Sequence, residues 1–540
     1  MSRTVKYPEN EYLPWNEYKT RTMATLQGFN MDRSVPRDKY GGRTDRKFRK
    51  TGFYYAVRDN GRWWTVDPEG NAYINIGVVA VLPGESVRQQ VFTLEKFGSD
   101  ARWAEATQKT LLDNGFNALG AWSKNVLFKD NPQQQTNPLS YTIIKDFMST
   151  YGKKRGGTYQ ESGHIGYPDK TIFVFDPEFE TFCDEYAQDL VKNKDDKNLF
   201  GYFSDNELPF ERTALDRYLN KKDSTDPGCI AAKKWLADQH LTKERINDSI
   251  RREFLGVVAD RYYSIVSRAI KKYDPNHLYL GSRLHYYELT VKPFFQAVGR
   301  YVDVIAINYY RVWTPVLKDM QNWEAWSGKP FIVTEWYTKG EDSGLPNYAG
   351  AGWIVKTQKD RGLFYQNFAL ALLESKNCVG FHWFKYQDND PENKKVDPSN
   401  IDANKGIVAT DYALYQPLLE KMRELNKRVY ALVDFFDKRE LPSVGSAGGP
   451  KERVVVAAPK SKAKFHLYLL AGQSNMAGRG FVEPADTAGD PRILRLNRDG
   501  DWEIAKEPIH FDKDVAGVGP GLAFAREMLK TDSNIVIGLI

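Results

Sequence analysis

Cysteine is scarce in this chain, with three residues in 540: Cys183, Cys229 and Cys378. An odd number at wide spacing makes neither a disulfide framework nor a zinc pattern. Cys378 lies in the apolar run CVGFHWF and reads as a buried core thiol. Histidine is sparse too, seven in all, and shows no metal-ligand spacing, so neither a metal nor a cofactor is expected. No single sign of charge dominates, because 76 basic residues face 70 acidic ones for a net +6. There is no long basic stripe, which argues against nucleic acid as a partner. Only the segment around 438–464 is locally basic. No apolar run reaches the 18 residues of a transmembrane helix. The opening MSRTVKYPENEY has no apolar stretch of a signal peptide, which leaves either a cytoplasmic protein or a trimmed signal. Internal repeats and low-complexity tracts are absent.

Aromatic residues are plentiful, at 14% of the chain with 13 Trp, 31 Tyr and 29 Phe. Flat rings suit the C–H faces of sugars, but they equally fill a large core. The length predicts two or three domains. Residues 1–50 are polar and weakly patterned, and read as an extended arm on the main domain. Eight short apolar runs follow: 72–81, 116–122, 141–147, 199–205, 278–284, 302–310, 330–337 and 378–386. Helix-like segments lie between them, at 100–115, 177–193, 248–273 and 360–375. Eight strands alternating with helices read as a (β/α)8 TIM barrel with long loops over 51–436. The runs are apolar on both faces, as buried parallel strands should be. An open doubly wound sheet is the rival. A further amphipathic helix at 413–436 closes the barrel. The Gly-, Ser-, Pro- and Lys-rich stretch 437–464 reads as a linker. Residues 465–540 begin a separate, partial α/β domain: strands at 466–471, 493–497 and 534–540 and a helix at 519–530.

Two glutamates carry the chemistry. Glu207 ends the fourth run in GYFSDNELPF, and Glu335 ends the seventh in PFIVTEWYTKG. A carboxylic acid and a carboxylate across one cleft are what glycosidic cleavage needs. The carboxyl ends of barrel strands are where such folds keep their catalytic groups. Burial beside Phe203, Leu208 and Phe210 would raise the Glu207 pKa, as a proton donor requires. Asn206 is placed to bond a neighbouring sugar hydroxyl, and Asp205-Asn206-Glu207 also reads as a loop turn with a helix cap. Glu335 needs donors to stay ionised, and Arg283, Tyr309 and Tyr310 are placed to supply them. Trp122, Trp336 and Trp383 are either sugar platforms or core plugs. His382, Lys385, Gln387 and Asp388 either bind hydroxyls or scaffold a loop, and His285 either binds substrate or packs on Tyr286.

GYFSDNELPF, together with the long block 332–390, resembles glycoside hydrolase family 50, the β-agarases, over roughly residues 55–435. The Asn-Glu pair and the strand-seven Glu also resemble the pattern of clan A retaining enzymes. The resemblance implies Glu207 as acid/base and Glu335 as nucleophile. It implies exo attack on β-1,4 bonds of agarose, releasing neoagarobiose, and a location outside the cytoplasm. A retaining pair should stand about 5–5.5 Å apart. Another β-galactan such as porphyran or carrageenan, or a non-catalytic galactan-binding barrel, remains the alternative.

GQSNMAGRG (472–480) and VGPGLAFA (518–525) resemble the nucleophile region of SGNH-type, sialate O-acetylesterase-like enzymes. That resemblance implies Ser474 as nucleophile on a tight glycine-flanked turn. Its family's Asp-x-x-His block is not found, and neither His466 nor His510 matches its position. Ser474 without its base is a weak nucleophile, so no esterase activity is expected of this chain.

Overall fold

The computed structural model describes residues 1–6, 9–129, 131–439, 456–459, 461–478, 486, 488–497, 500–510, 516–532 and 534–540. The chain forms two compact units, Met1–Glu440 and Leu441–Ile540, each with its own apolar cluster.

The first unit is a (β/α)8 barrel. Its strands are β1 (Asn75–Val78), β2 (Ala118–Leu119), β3 (Ser140–Ile144), β4 (Leu199–Phe203), β5 (Leu278–Gly281), β6 (Ile305–Asn308), β7 (Phe331–Glu335) and β8 (Cys378–Trp383). Each of the eight apolar runs supplies one of them. Neighbours pair in parallel in the order β5-β4-β3-β2-β1-β8-β7-β6. Leu284 N to Ala306 O at 2.9 Å and Asn308 N to Leu284 O at 2.7 Å stitch β5 to β6 and close the ring. Strand residues are buried almost throughout, because helices cover the outside and side chains fill the inside.

A four-stranded antiparallel sheet (Arg43–Lys47, Asn71–Tyr73, Arg62–Val66, Tyr55–Asp59) plugs the amino-terminal end of the barrel. Its Trp63 N bonds Lys376 O at 2.8 Å, and the buried Arg62 reaches Leu373 O at 2.9 Å and Asp437 at 2.8 Å. The run at 72–81 therefore serves both this sheet and β1. The residues before it run along the barrel wall: Met23 N bonds Gln366 Oε1 at 2.9 Å, and Ser2–Arg3 adds a strand to the small sheet of Trp353–Val355 and Thr338–Gly340 in the loop after β7. The antiparallel sheet closes the amino-terminal end, which leaves the carboxyl ends of the strands as the open face.

Most helices follow the sequence pattern. Asp100–Asp113 is capped by Ser99 and stops before Gly115, whose φ of +76° suits glycine. Asp248–Tyr273 runs as expected. The helix expected over 413–436 is two, Gln416–Asn426 and Val429–Asp437. Asn426 is fully buried and is held by the Tyr365 hydroxyl at 2.6 Å and by Asn114 O at 3.1 Å. Arg428 leaves helical geometry and donates to Met31 O and Glu424 O. Both halves bury one face, so the apolar period runs on through the break.

The second unit has a sheet in the order Phe465–Tyr468, Val536–Leu539, Ile493–Leu496, Trp502–Ile504; the first three are parallel and the last antiparallel. Helix Pro520–Thr531 buries Leu522, Ala525 and Leu529 against it. Most of the expected linker 437–464 lies outside the described residues, as does the side chain of Ser474.

Candidate active site

Beyond β4, Asp205, Asn206 and Glu207 divide between two tasks. The buried Asp205 carboxylate accepts from Met148 N at 2.8 Å and Ser149 N at 3.0 Å, capping the helix Phe147–Arg155, and takes the Tyr262 hydroxyl at 2.6 Å. Asn206 and Glu207 turn into the barrel mouth. Glu207 sits at φ +50°, a left-handed conformation rare outside glycine, with its N–H tied to Ser282 O at 3.1 Å. Arg283 at φ +54° and Trp122 at φ +57° share that strain at the ends of β5 and β2.

Asn308, the last residue of β6, joins the two glutamates. Its Oδ1 accepts from Thr334 Oγ1 at 2.9 Å and Arg283 Nε at 3.3 Å. That fixes the amide, so Nδ2 faces the acceptors. Nδ2 lies 2.7 Å from Glu207 Oε1 and 3.1 Å from Glu335 Oε2, so these two oxygens stand no more than about 5.8 Å apart. Glu335 also takes the Arg283 guanidinium on Oε2 at 2.7 Å and the Tyr310 hydroxyl on Oε1 at 2.6 Å.

Burial pushes the Glu335 carboxyl above the ordinary glutamate value; Arg283 pulls it down, Glu207 adds to the rise, and Tyr310 lowers it. Three donors on one carboxylate are what its ionised form requires. Glu207 presents its second oxygen, Oε2, toward His164 Nδ1, 3.7 Å away, and His164 packs on His285 with ring centroids 5.8 Å apart. Burial lowers the His285 pKa, but Glu207 and Glu288 outweigh it and carry it to about 9. A hairpin, Tyr159–Gln160 with Ile165–Gly166, brings His164 here and crosses the mouth. Gly163 O accepts from Asn206 Nδ2 at 3.2 Å, while Gly163 N and Gln160 Nε2 bond Asp397, in the loop after β8, at 3.1 and 3.0 Å.

Comparison with known proteins supplies the lineage. The solved structure of BpGH50 matches with 32% identity and a TM-score of 0.71, over 81% of this chain and 95% of that one. The chain belongs to glycoside hydrolase family 50. A structure described as that of an exo-beta-agarase shares the fold at 21% identity and a TM-score of 0.61, over 76% of this chain and 69% of its own. Beta-agarase B of Vibrio sp. (strain JT0107) is 24% identical over 504 residues, 73% of this chain and 50% of its own. The chain spans about half the length of the curated agarases it matches. Residues 464–540 match the family model for a carbohydrate esterase, sialic acid-specific acetylesterase.

In this family 50 barrel, several residues expected at the site lie elsewhere. Tyr309 alternates away from Tyr310, packs on Trp323 and Phe368, and accepts from Val316 N. Trp336 alternates away from Glu335 and stacks on Phe368 at 4.4 Å. Trp383 is fully buried, with its Nε1 on Lys405 O. His382 points into the barrel below the mouth and bonds Asn75, and burial takes its pKa down to about 3. Gln387 bonds Thr410 O, and Asp388 gathers Asn404 Nδ2, Lys405 N, Gly406 N and the Tyr415 hydroxyl, so both scaffold the loop after β8. Lys385 borders a neighbouring cleft with Glu85, Asp390 and Asp397. Asn206, Arg283, Tyr310, Trp122 and His285 do gather around the glutamates. Asn308 and His164 were not expected; the sequence signal for Asn308 was a lone amide closing the apolar run VIAIN. Among the described residues no group of side chains could hold a metal ion, and no helix is long and apolar enough to cross a membrane.

Proposed function

We propose that the barrel hydrolyses β-1,4-galactosidic bonds of agarose-type galactans from a chain end, by double displacement, with neoagarobiose as product. The observation that carries this reading is the Asn308 amide bridging the two glutamates, whose facing oxygens stand no more than about 5.8 Å apart. That spacing supports the retaining class rather than the wider inverting one. Glu335 attacks the anomeric carbon while Glu207 gives its proton to the departing oxygen, so the C–O bond breaks as the glycosyl ester forms. Glu207 then takes a proton from water, whose oxygen displaces Glu335 and returns both groups to their starting states. The names of the relatives, beta-agarase and, for one structure, exo-beta-agarase, support agarose as substrate and exo action. A polymeric galactan of that kind is met outside the cytoplasm, which is the place of action proposed.

Two measurements test the reading. Sugar release should be compared on agarose, porphyran and carrageenan, with the product anomer followed by NMR. Release from agarose with retained configuration is expected; inversion, or preference for another galactan, overturns the corresponding part. Glu335→Gln should lower kcat at least about a thousandfold. A variant that keeps most of its activity removes Glu335 as nucleophile.

A further inference from the structure

The two oxygens of Glu207 face different surroundings. Oε1 accepts from the Asn308 amide at 2.7 Å, so the hydrogen of the acid form belongs on Oε2. Oε2 faces the hairpin that crosses the mouth. His164 Nδ1 lies 3.7 Å from it. Gly163, at φ +93°, comes so close that a Cβ there would stand 3.8 Å from the same oxygen. The other ring nitrogen of His164, Nε2, lies 3.1 Å from Glu161 Oε2. An ionised carboxylate can only accept, so Nε2 carries the imidazole hydrogen and Nδ1 turns its lone pair to Glu207. The tautomer is thus assigned from the partners on its two sides.

The hairpin holds this arrangement without help from a sugar. Glu161 is fixed by the Tyr159 hydroxyl on its Oε1 at 2.9 Å. Asn206 Nδ2 ties the tip to the end of β4 through Gly163 O at 3.2 Å. At 3.7 Å the contact of His164 with Glu207 is longer than a closed hydrogen bond, and contacts of this kind tighten when a substrate completes the site. We propose that His164 is a positioning residue for the acid: it accepts the Glu207 hydrogen between turnovers and keeps Oε2 aimed where the departing oxygen takes that hydrogen. His164 ends each half-reaction in the state in which it began, since the proton passes from Oε2 to the sugar oxygen and returns to Oε2 from water. The inference rests on the glycosidase reading above and adds the group that manages the acid's proton.

Other charged or titratable groups also face Glu207: Arg283 and His285 beyond β5, Tyr310 beyond β6, Glu335 ending β7 and Tyr337 beyond it. His164 itself is faced by Glu161 and His285. All of these stay unaltered in the test, so a changed pH profile reports His164.

The test uses the whole chain with aryl β-neoagarobiosides that differ in leaving group, from dinitrophenyl to phenyl, and an agaro-oligosaccharide. His164→Ala should lower kcat/KM about tenfold or more on the oligosaccharide and the phenyl glycoside. On the dinitrophenyl glycoside it should stay within about twofold, because that phenolate departs without a proton. A hydrogen-bond acceptor favours the protonated form of an acid, so its loss should move the basic limb of kcat/KM at least about 0.5 pH units lower. His164→Asn, whose Oδ1 stands near the place of Nδ1, should recover most of both effects. An equal fall on every leaving group would make His164 only a support for the hairpin and overturn the proposal. A basic limb moved upward would overturn it too, since that is the mark of an imidazolium facing a carboxylate. Failure of the glycosidase reading would look different, because the unaltered chain would then cleave none of these substrates, the dinitrophenyl glycoside included.

Discussion

At the scale of single residues, the site turns on an amide. Asn308 donates to both carboxylates while Thr334 and Arg283 hold its oxygen. Asn308→Ala should remove a fixed donor from between the two glutamates proposed to react and lower kcat about a hundredfold or more. Asn308→Asp should lose at least as much, because a third carboxylate would repel both; steady-state kinetics on a defined oligosaccharide checks both variants. His285 sets a pH dependence of stability. Its folded pKa of about 9 lies above the ordinary value near 6.5. The stabilisation is therefore complete below about 6.5 and is lost as pH rises through about 9, on the order of 1–3 kcal/mol. Denaturation midpoints of the unaltered chain and of His285→Gln should differ most near pH 6 and converge near pH 10. Glu207 and Glu335 were legible because each ends an apolar run with a charge. Asn308 was not, since a neutral amide at a strand end is common and only the folded register shows what it touches.

At the scale of elements, the sequence was legible in its periods and less so in its facing. The eight strands stood out because buried parallel strands are apolar on both sides. That same property hid which of two adjacent aromatics points inward, and so Tyr309 and Trp336 were expected where only Tyr310 and Glu335 arrive. The break after Asn426 was hidden for a related reason, since its causes, Tyr365 and Asn114, are distant in sequence. Small residues matter where strands leave room inside. Gly77 of β1 faces His382 of β8, and a Cβ there would lie 2.7 Å from the imidazole Cδ2. His382 is fully enclosed and cannot step aside. Gly77→Ala should therefore cost about 1–3 kcal/mol, seen as a lower urea midpoint at unchanged slope. Adding His382→Ala should return part of the loss.

At the scale of the whole molecule, the architecture gathers the chemistry at one end. The antiparallel sheet plugs the amino-terminal mouth, and every residue of the site comes from a strand end or a loop at the other. The hairpin at 159–166 reaches across that open end to Asp397. On the end-on action proposed above, this bar keeps a polymer from settling sideways between the glutamates, so that it arrives tip first. The quantity the barrel responds to would then be the number of free tips in solution rather than the mass of polysaccharide. Shearing a fixed weight of galactan into fragments a tenth as long should raise the initial rate about tenfold at subsaturating substrate, as followed by sugar release. Asp397→Ala, which frees the hairpin, should flatten that dependence by letting interior stretches of the polymer in.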